Sequence, residues 1–193
     1  MQQNEKKNVL ASMVILVDRR EQPTERAQRR YKSFSVPYRR ATLSYGDYSY
    51  NVQLPDGRWL FDEAQTISPI VAIERKMNLD ELASCFTHTR ERFEKEFKRA
   101  NDQKARIILL VENASWENLM NGKYSSKFNQ NAFFASLCSW IVRYDIQLVF
   151  CKEETSGRII QELLYRDLKN RIENDQIGEL MVTDRKEKMN ADS

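Results

Sequence analysis

The chain has 193 residues, 41 % hydrophobic and 31 % charged, with 31 Lys and Arg against 28 Asp and Glu for a net charge of +3. That length suits one ordinary domain with a full core, and so small a net charge is no argument by itself for a nucleic-acid partner. No apolar run approaches a membrane span and the start, MQQNEKKN, lacks the apolar stretch of a signal peptide, so no membrane association is expected.

Residues 1–10 are polar and are expected to fray. MVILVD (13–18) predicts a short buried strand ending in an acid. RREQPTERAQRRYKSF, within 19–41, is a helix-compatible polar run carrying Arg26, Arg29, Arg30 and Lys32. ATLSYGDYSYNVQL (41–54) alternates roughly and predicts a strand, with Tyr45, Tyr48 and Tyr50 as sheet residues. LPDGRWLF (54–61) carries a Pro-Asp-Gly turn and predicts a hairpin, with Trp59 either a wedge into DNA or ordinary packing. SPIVAIERK (68–76) predicts the next strand. Leu79, Leu82, Phe86, Phe93 and Phe97 recur at helical spacing, predicting one long helix over about 79–103. RIILLVE (106–112) predicts a buried strand, 113–129 a polar loop with Gly122. NAFFASLCSWIVRY (131–144) predicts a helix with Phe133, Phe134, Leu137 and Ile141 inward. IQLVFC (146–151) predicts another strand, and 155–172 an amphipathic helix carrying Ile159, Ile160, Leu163, Leu164 and Leu168. The expected layout is a flexible 1–10, one domain over 11–172, and a polar, mobile tail over 173–193. Antiparallel strands followed by helix-strand-helix-strand-helix predict an α/β fold, a mixed central sheet with helices on both faces.

Cys85, Cys138 and Cys151 are odd in number and far apart in apolar segments. They read as reduced core residues of a cytosolic protein, not as a disulfide frame or zinc site. A single histidine, His88, argues against chemistry built on paired histidines or on a His-Ser-Asp triad.

The chemistry-bearing pattern is Gly46-Asp47-Tyr48 followed by ERKMNLD (74–80). Glu74 and Lys76 are two apart, so on a strand their side chains leave the same face. Asp47 can face them if its segment pairs with the 70–76 segment. Two converging carboxylates make an oxygen site suited to a hard cation such as Mg²⁺, and a lysine beside it can steer a water or offset charge on a phosphate. The bland alternatives stand beside this: Gly-Asp is common in turns, and Glu-x-Lys on a strand is often a solvated edge or an ion pair. Asp18, ending a buried strand, adds a third acid to the pattern.

VDRRE (17–21), GDY (46–48), ERKMNLD (74–80) and then Arg90 resemble the nuclease domain of the XPF and Hef family of structure-specific endonucleases. Its signature, GD followed by ERK-x-x-x-D, is matched at every fixed position, and the likeness covers about 13–170. The resemblance implies a restriction-endonuclease-like core of the PD-(D/E)xK superfamily. It implies a DNA endonuclease using one or two Mg²⁺ ions, with Mn²⁺ able to substitute. Branched or flapped DNA in replication, repair or recombination is the implied substrate, with cuts leaving a 5′ phosphate. Asp47 and Glu74 are implied as metal carboxylates, Asp18 as a further acid of the metal site and Lys76 as the catalytic lysine. Arg75 matches the motif arginine, or holds a neighbouring acid by an ion pair. Glu21 and Asp80 match supporting acids, Asp80 otherwise serving the start of its helix. Arg90 matches a helix arginine near the scissile phosphate, or is one more solvated charge. Arg92, Lys95, Lys98 and Arg99 read as solvated charges or generic phosphate contacts. Family members pair through this domain, so a homodimer through 131–151 is expected. With no helix-hairpin-helix tandem or helicase in the sequence, a cytoplasmic prokaryotic, phage or plasmid setting is expected. Another nuclease of the superfamily, such as a junction resolvase, and a non-catalytic DNA-binding relative are the competing readings.

Overall fold

The computed structural model describes residues 1–177, so most of the expected 173–193 tail lies outside the described residues. The chain runs α1 (Gln3–Ala11), β1 (Val14–Asp18), α2 (Glu25–Lys32), β2 (Tyr38–Leu43), β3 (Tyr48–Asn51), β4 (Thr66–Ile67), β5 (Val71–Lys76), α3 (Leu79–Thr87), α4 (Arg90–Asp102), β6 (Arg106–Glu112), α5 (Trp116–Met120), α6 (Gln130–Tyr144), β7 (Gln147–Cys151) and α7 (Glu153–Glu173). Seven strands form one mixed sheet in the order β4-β2-β1-β3-β5-β6-β7. β1 pairs parallel with β2 and antiparallel with β3, and β3 pairs antiparallel with β5. β5, β6 and β7 run parallel.

Strand periodicity sorts the core onto two faces. Ile15, Val17, Tyr48, Tyr50, Val71, Ile73, Ile108 and Leu110 pack under α1, α2 and α7, against Val9, Ala27, Tyr31, Ile160, Leu164 and Leu168. Ala72, Ile107, Leu109 and Val111 face the other way, against Leu82, Phe86, Phe93, Phe97, Phe133, Leu137 and Trp140 of α3, α4 and α6. Trp140 anchors the second layer, its ring centroid 4.0 Å from Phe86, 5.4 Å from Phe93 and 5.5 Å from Phe97.

The strands 13–18, 106–112 and 146–151 and the last two helices form where expected. Other expectations need correction. Residues 1–10 enter a helix whose capping box joins Gln2 to Glu5, and Val9 is buried against α7's layer. The expected strand 41–54 is two strands, split at Gly46 with φ +74°, because β2 and β3 lie on opposite sides of β1. The expected helix 79–103 breaks at His88–Thr89, which rotates α4 so that Phe93, Glu96, Phe97 and Ala100 all turn inward. The polar loop 113–129 contains the short α5, capped by Ser115. In α6, Trp140 takes the inward place assigned to Phe134, which is 39 % exposed.

Candidate active site

β5 carries the pattern to its C-terminal end, where alternation splits it. Glu74 and Lys76 share the face of Ala72, under α3 and α4, while Arg75 faces the α2 and α7 layer. Gly46 lets the chain turn close against β5: a Cβ there would stand 2.7 Å from the Cβ of Ala72 and 3.3 Å from the carbonyl oxygen of Ile73. The turn delivers Asp47. Its N–H donates to the Ile73 carbonyl at 2.8 Å, its own carbonyl accepts from the Asp18 N–H at 2.8 Å, and Oδ2 accepts from the Arg75 N–H at 2.8 Å. Asp47 is thus fixed by backbone bonds from both neighbouring strands.

Lys76 Nζ donates to Glu74 Oε1 at 2.6 Å and lies 4.7 Å from the centroid of the Phe93 ring. Glu74 and Lys76 are both buried. Burial and then the Glu74 carboxylate push the Asp47 carboxyl well above the usual carboxylate range, with Lys76 and the Arg75 N–H offsetting part of this. Burial works against the charge on Lys76. The Glu74 and Asp47 carboxylates outweigh it and hold the lysine charged. The cluster therefore sets two acidic groups against one ammonium in a poorly solvated place, where ionising Asp47 beside Glu74 is opposed.

Among the described residues no three His, Cys, Asp or Glu side chains gather into a ready metal site. Asp47 and Glu74 are the donors offered, both hard oxygens, and a divalent cation would relieve their mutual repulsion; hard cations fill the remaining positions with water or phosphate oxygen. Asp18, fully buried, stands beside Asp47 through the backbone but spends its carboxylate elsewhere. Oδ1 accepts from Arg20 N and Nε, each at 2.7 Å, and Oδ2 accepts from the Leu43 N–H at 2.8 Å.

On the opposite face Arg75 joins a buried ionic network. Its Nη1 donates to Glu112 Oε2 at 3.1 Å and its Nη2 lies 3.4 Å from Glu21 Oε1. Arg30 of α2 completes the quartet, with Nη2 3.0 Å from Glu112 Oε1 and Nη1 3.4 Å from Glu21 Oε1. Tyr48 Oη donates to Glu21 at 3.1 Å. Two arginines balance two glutamates, so the network ties β1's following turn, α2, β5 and β6 together with no net charge.

Asp80 does not cap α3, a task done by Asn78. Its Oδ1 accepts from the N–H groups of Ser125 and Ser126, both at 2.7 Å, stapling the segment after α5 to the start of α3. Arg90 opens α4, pairs with Glu94 at 3.1 Å, and lines an open groove of about 690 Å³ with His88, Arg92, Lys95 and Arg99. Trp59 is half-buried with the Arg39 guanidinium 4.2 Å over its ring. Cys85, Cys138 and Cys151 are free thiols.

Three residues of this region went unrecognised in the sequence, Arg20, Glu96 and Glu112, while Arg30 stands out there only as one of a basic run. Glu112 ends a buried strand as Asp18 does, a usable signal. Glu96 lies on the stripe of Phe93, Phe97 and Ala100, where a carboxylate is out of place.

The family model of the ERCC4 domain matches residues 17–163. No relative among curated proteins matches the chain. Among solved structures, XPF from Aeropyrum pernix superposes with a TM-score of 0.55 at 18 % identity, over 80 % of this chain and 61 % of that one. XPF from Aeropyrum pernix in complex with DNA gives 0.54 at 19 % identity, over 82 % and 66 %. This chain spans less than two thirds of either, and at such identity the likeness is one of fold, a restriction-endonuclease-like sheet flanked by helices.

Proposed function

This chain belongs to the ERCC4 domain family, and from that premise we propose that it is a divalent-metal-dependent DNA endonuclease acting on branched or flapped DNA. The observation that carries the reading is Asp47, held by backbone bonds against Glu74 while Lys76 is locked to Glu74 Oε1 at 2.6 Å. A core built for stability alone gains nothing from two like charges in one poorly solvated place. Mg²⁺ bound there, with Mn²⁺ as substitute, would supply a more acidic water and a clamp on the phosphate. The chain's own residues do the rest. Asp47 and Glu74 hold the oxygen donors in one orientation, and Asp18 holds Arg20 at the rim. Lys76 carries the positive charge that offsets charge developing on the scissile phosphate. Phe93 covers the ammonium from solvent. The groove beginning at Arg90 offers guanidiniums and a lysine to the phosphate backbone without reading sequence. Two copies pair through 131–151, in a cytoplasmic prokaryotic, phage or plasmid setting.

The test is a panel of labelled flaps, forks, four-way junctions and linear duplex, with Mg²⁺, Mn²⁺ or EDTA. Cleavage of branched substrates that EDTA abolishes is expected, and Lys76→Ala should lose cleavage while keeping DNA affinity. Cleavage confined to four-way junctions would point to a resolvase. No cleavage of any substrate with either metal would leave a non-catalytic DNA-binding protein.

A further inference from the structure

Glu96 is 8 % exposed, on the inward face of α4. Among the described residues its side chain makes no hydrogen bond. Its partners are two ion pairs on one oxygen: Arg20 Nη1 at 3.8 Å and Arg92 Nε at 3.9 Å, both to Oε1. These come from different elements, the turn after β1 and the outer side of α4. Nothing in the packing calls for a carboxylate here, since Phe93, Phe97 and Ala100 already bury α4 against the sheet. A buried carboxylate close enough to Glu74 to be repelled by it is a net expense for the fold.

The two arginines are unequal in exposure but alike in what they leave unused. Arg20 spends Nε and Nη2 on Asp18 and on the Leu43 carbonyl, at 2.7 Å and 3.0 Å, which fixes the guanidinium plane. Its Nη1 makes no hydrogen bond among the described residues, and the group also lies in the field of Asp47. The Arg92 side chain makes no hydrogen bond among the described residues and is 78 % exposed. At ion-pair rather than hydrogen-bond distance, Glu96 orients both groups without consuming their donors. Arg20 Nη1 and the Arg92 guanidinium, drawn to one Glu96 oxygen, offer free N–H groups of the kind that bind a phosphodiester.

We propose that Glu96 is a positioning residue that holds Arg20 and Arg92 as a two-armed clamp on a phosphate of the DNA strand entering the Asp47–Glu74 site. The proposal rests on the nuclease reading above and deepens it. Glu96 reaches the substrate only through the arginines, so its loss should separate affinity from rate. Glu96→Gln removes a negative charge from a DNA-facing region, so affinity for a flap substrate, measured by anisotropy in Ca²⁺, should hold or tighten. The single-turnover rate should fall at least tenfold. Arg92→Ala should fall by a similar factor, and the double variant Glu96→Gln/Arg92→Ala should be no slower than either alone. Independently of cleavage, the Nε–H resonances of Arg20 and Arg92 should shift on adding a short oligothymidylate to wild type and fail to shift in Glu96→Gln. A Glu96→Gln protein that cleaves at the wild-type rate, or rate losses that multiply in the double variant, would overturn the clamp. Unperturbed arginine resonances in wild type would do so as well. If wild type cleaves nothing, the nuclease reading falls, and the clamp is judged on the arginine resonances alone.

Discussion

At the scale of single residues the site is a balance of unfavourable contacts held in place by backbone geometry. Asp47 illustrates the sign of the effect. Its folded-state pKa is raised by burial and by Glu74, so the folded protein binds its proton more tightly than the unfolded chain. Stability from this group is therefore fully present below the ordinary aspartate pKa and is lost as pH rises through the raised value. In EDTA, Asp47→Asn should be at least as stable as wild type, with an advantage that grows as pH climbs above the usual carboxylate range. Its cleavage should fall by orders of magnitude. Melting curves across pH check this, and an advantage that shrinks with rising pH would contradict the site's electrostatics. Gly46 is the second residue-scale test. Alanine there meets both a positive φ and the Ala72 Cβ at 2.7 Å, so Gly46→Ala should destabilise by about 1–3 kcal/mol and misplace Asp47. Denaturant unfolding and cleavage should both register the loss.

Elements are joined here less by loops than by charge. The quartet of Arg30, Arg75, Glu21 and Glu112 links α2, β5, β6 and the turn after β1, and Glu112 is 0 % exposed. Removing one member leaves an uncompensated charge in the interior, which is the expensive way to break a buried pair. Glu112→Ala should cost about 3–5 kcal/mol, judged by analogy with other buried pairs, and should be measured by denaturant unfolding. Arg75 thus stands one step behind the chemistry: its backbone N–H orients Asp47 at 2.8 Å while its side chain belongs to the network. Asp80 works likewise through another element, by stapling Ser125 and Ser126.

For the whole molecule, what matters is the surface left over. β7 ends the sheet, with one edge unpaired by any described strand. Beside it α6 exposes Val142 at 84 % and Phe134 at 39 %, and α5 exposes Met120 at 48 %. Apolar groups on the outer side of a helix already buried by Phe133, Leu137 and Trp140 fit the expected pairing of two copies. Sedimentation at micromolar and tens-of-micromolar concentrations should show a dimer fraction rising with concentration, and Val142→Glu should remove it without lowering the melting temperature. A monomer throughout, with full cleavage, would take the dimer out of the mechanism.

The sequence by itself determined that Glu74 and Lys76 share a face, because a strand has a period of two and nothing tertiary alters it. It determined the buried strand at 106–112, the strand at 146–151, which proves a half-buried edge, and the helix at 131–144, where apolar runs and helical spacing leave little choice. Only the tertiary structure decided that 41–54 is two strands, since alternation reads the same whether the chain continues or crosses β1 through a left-handed turn at Gly46. Only it decided the partners of the acids. Beyond the local pairs Asp18–Arg20 and Glu96–Arg92, Asp18 is drawn to the Leu43 N–H, Asp80 to a loop 45 residues away, and Glu96 to Arg20 of the turn after β1. Local pattern fixes which way a side chain leaves its own element. Which charge it then meets depends on sheet order and helix placement, and these are set by contacts far apart in the chain.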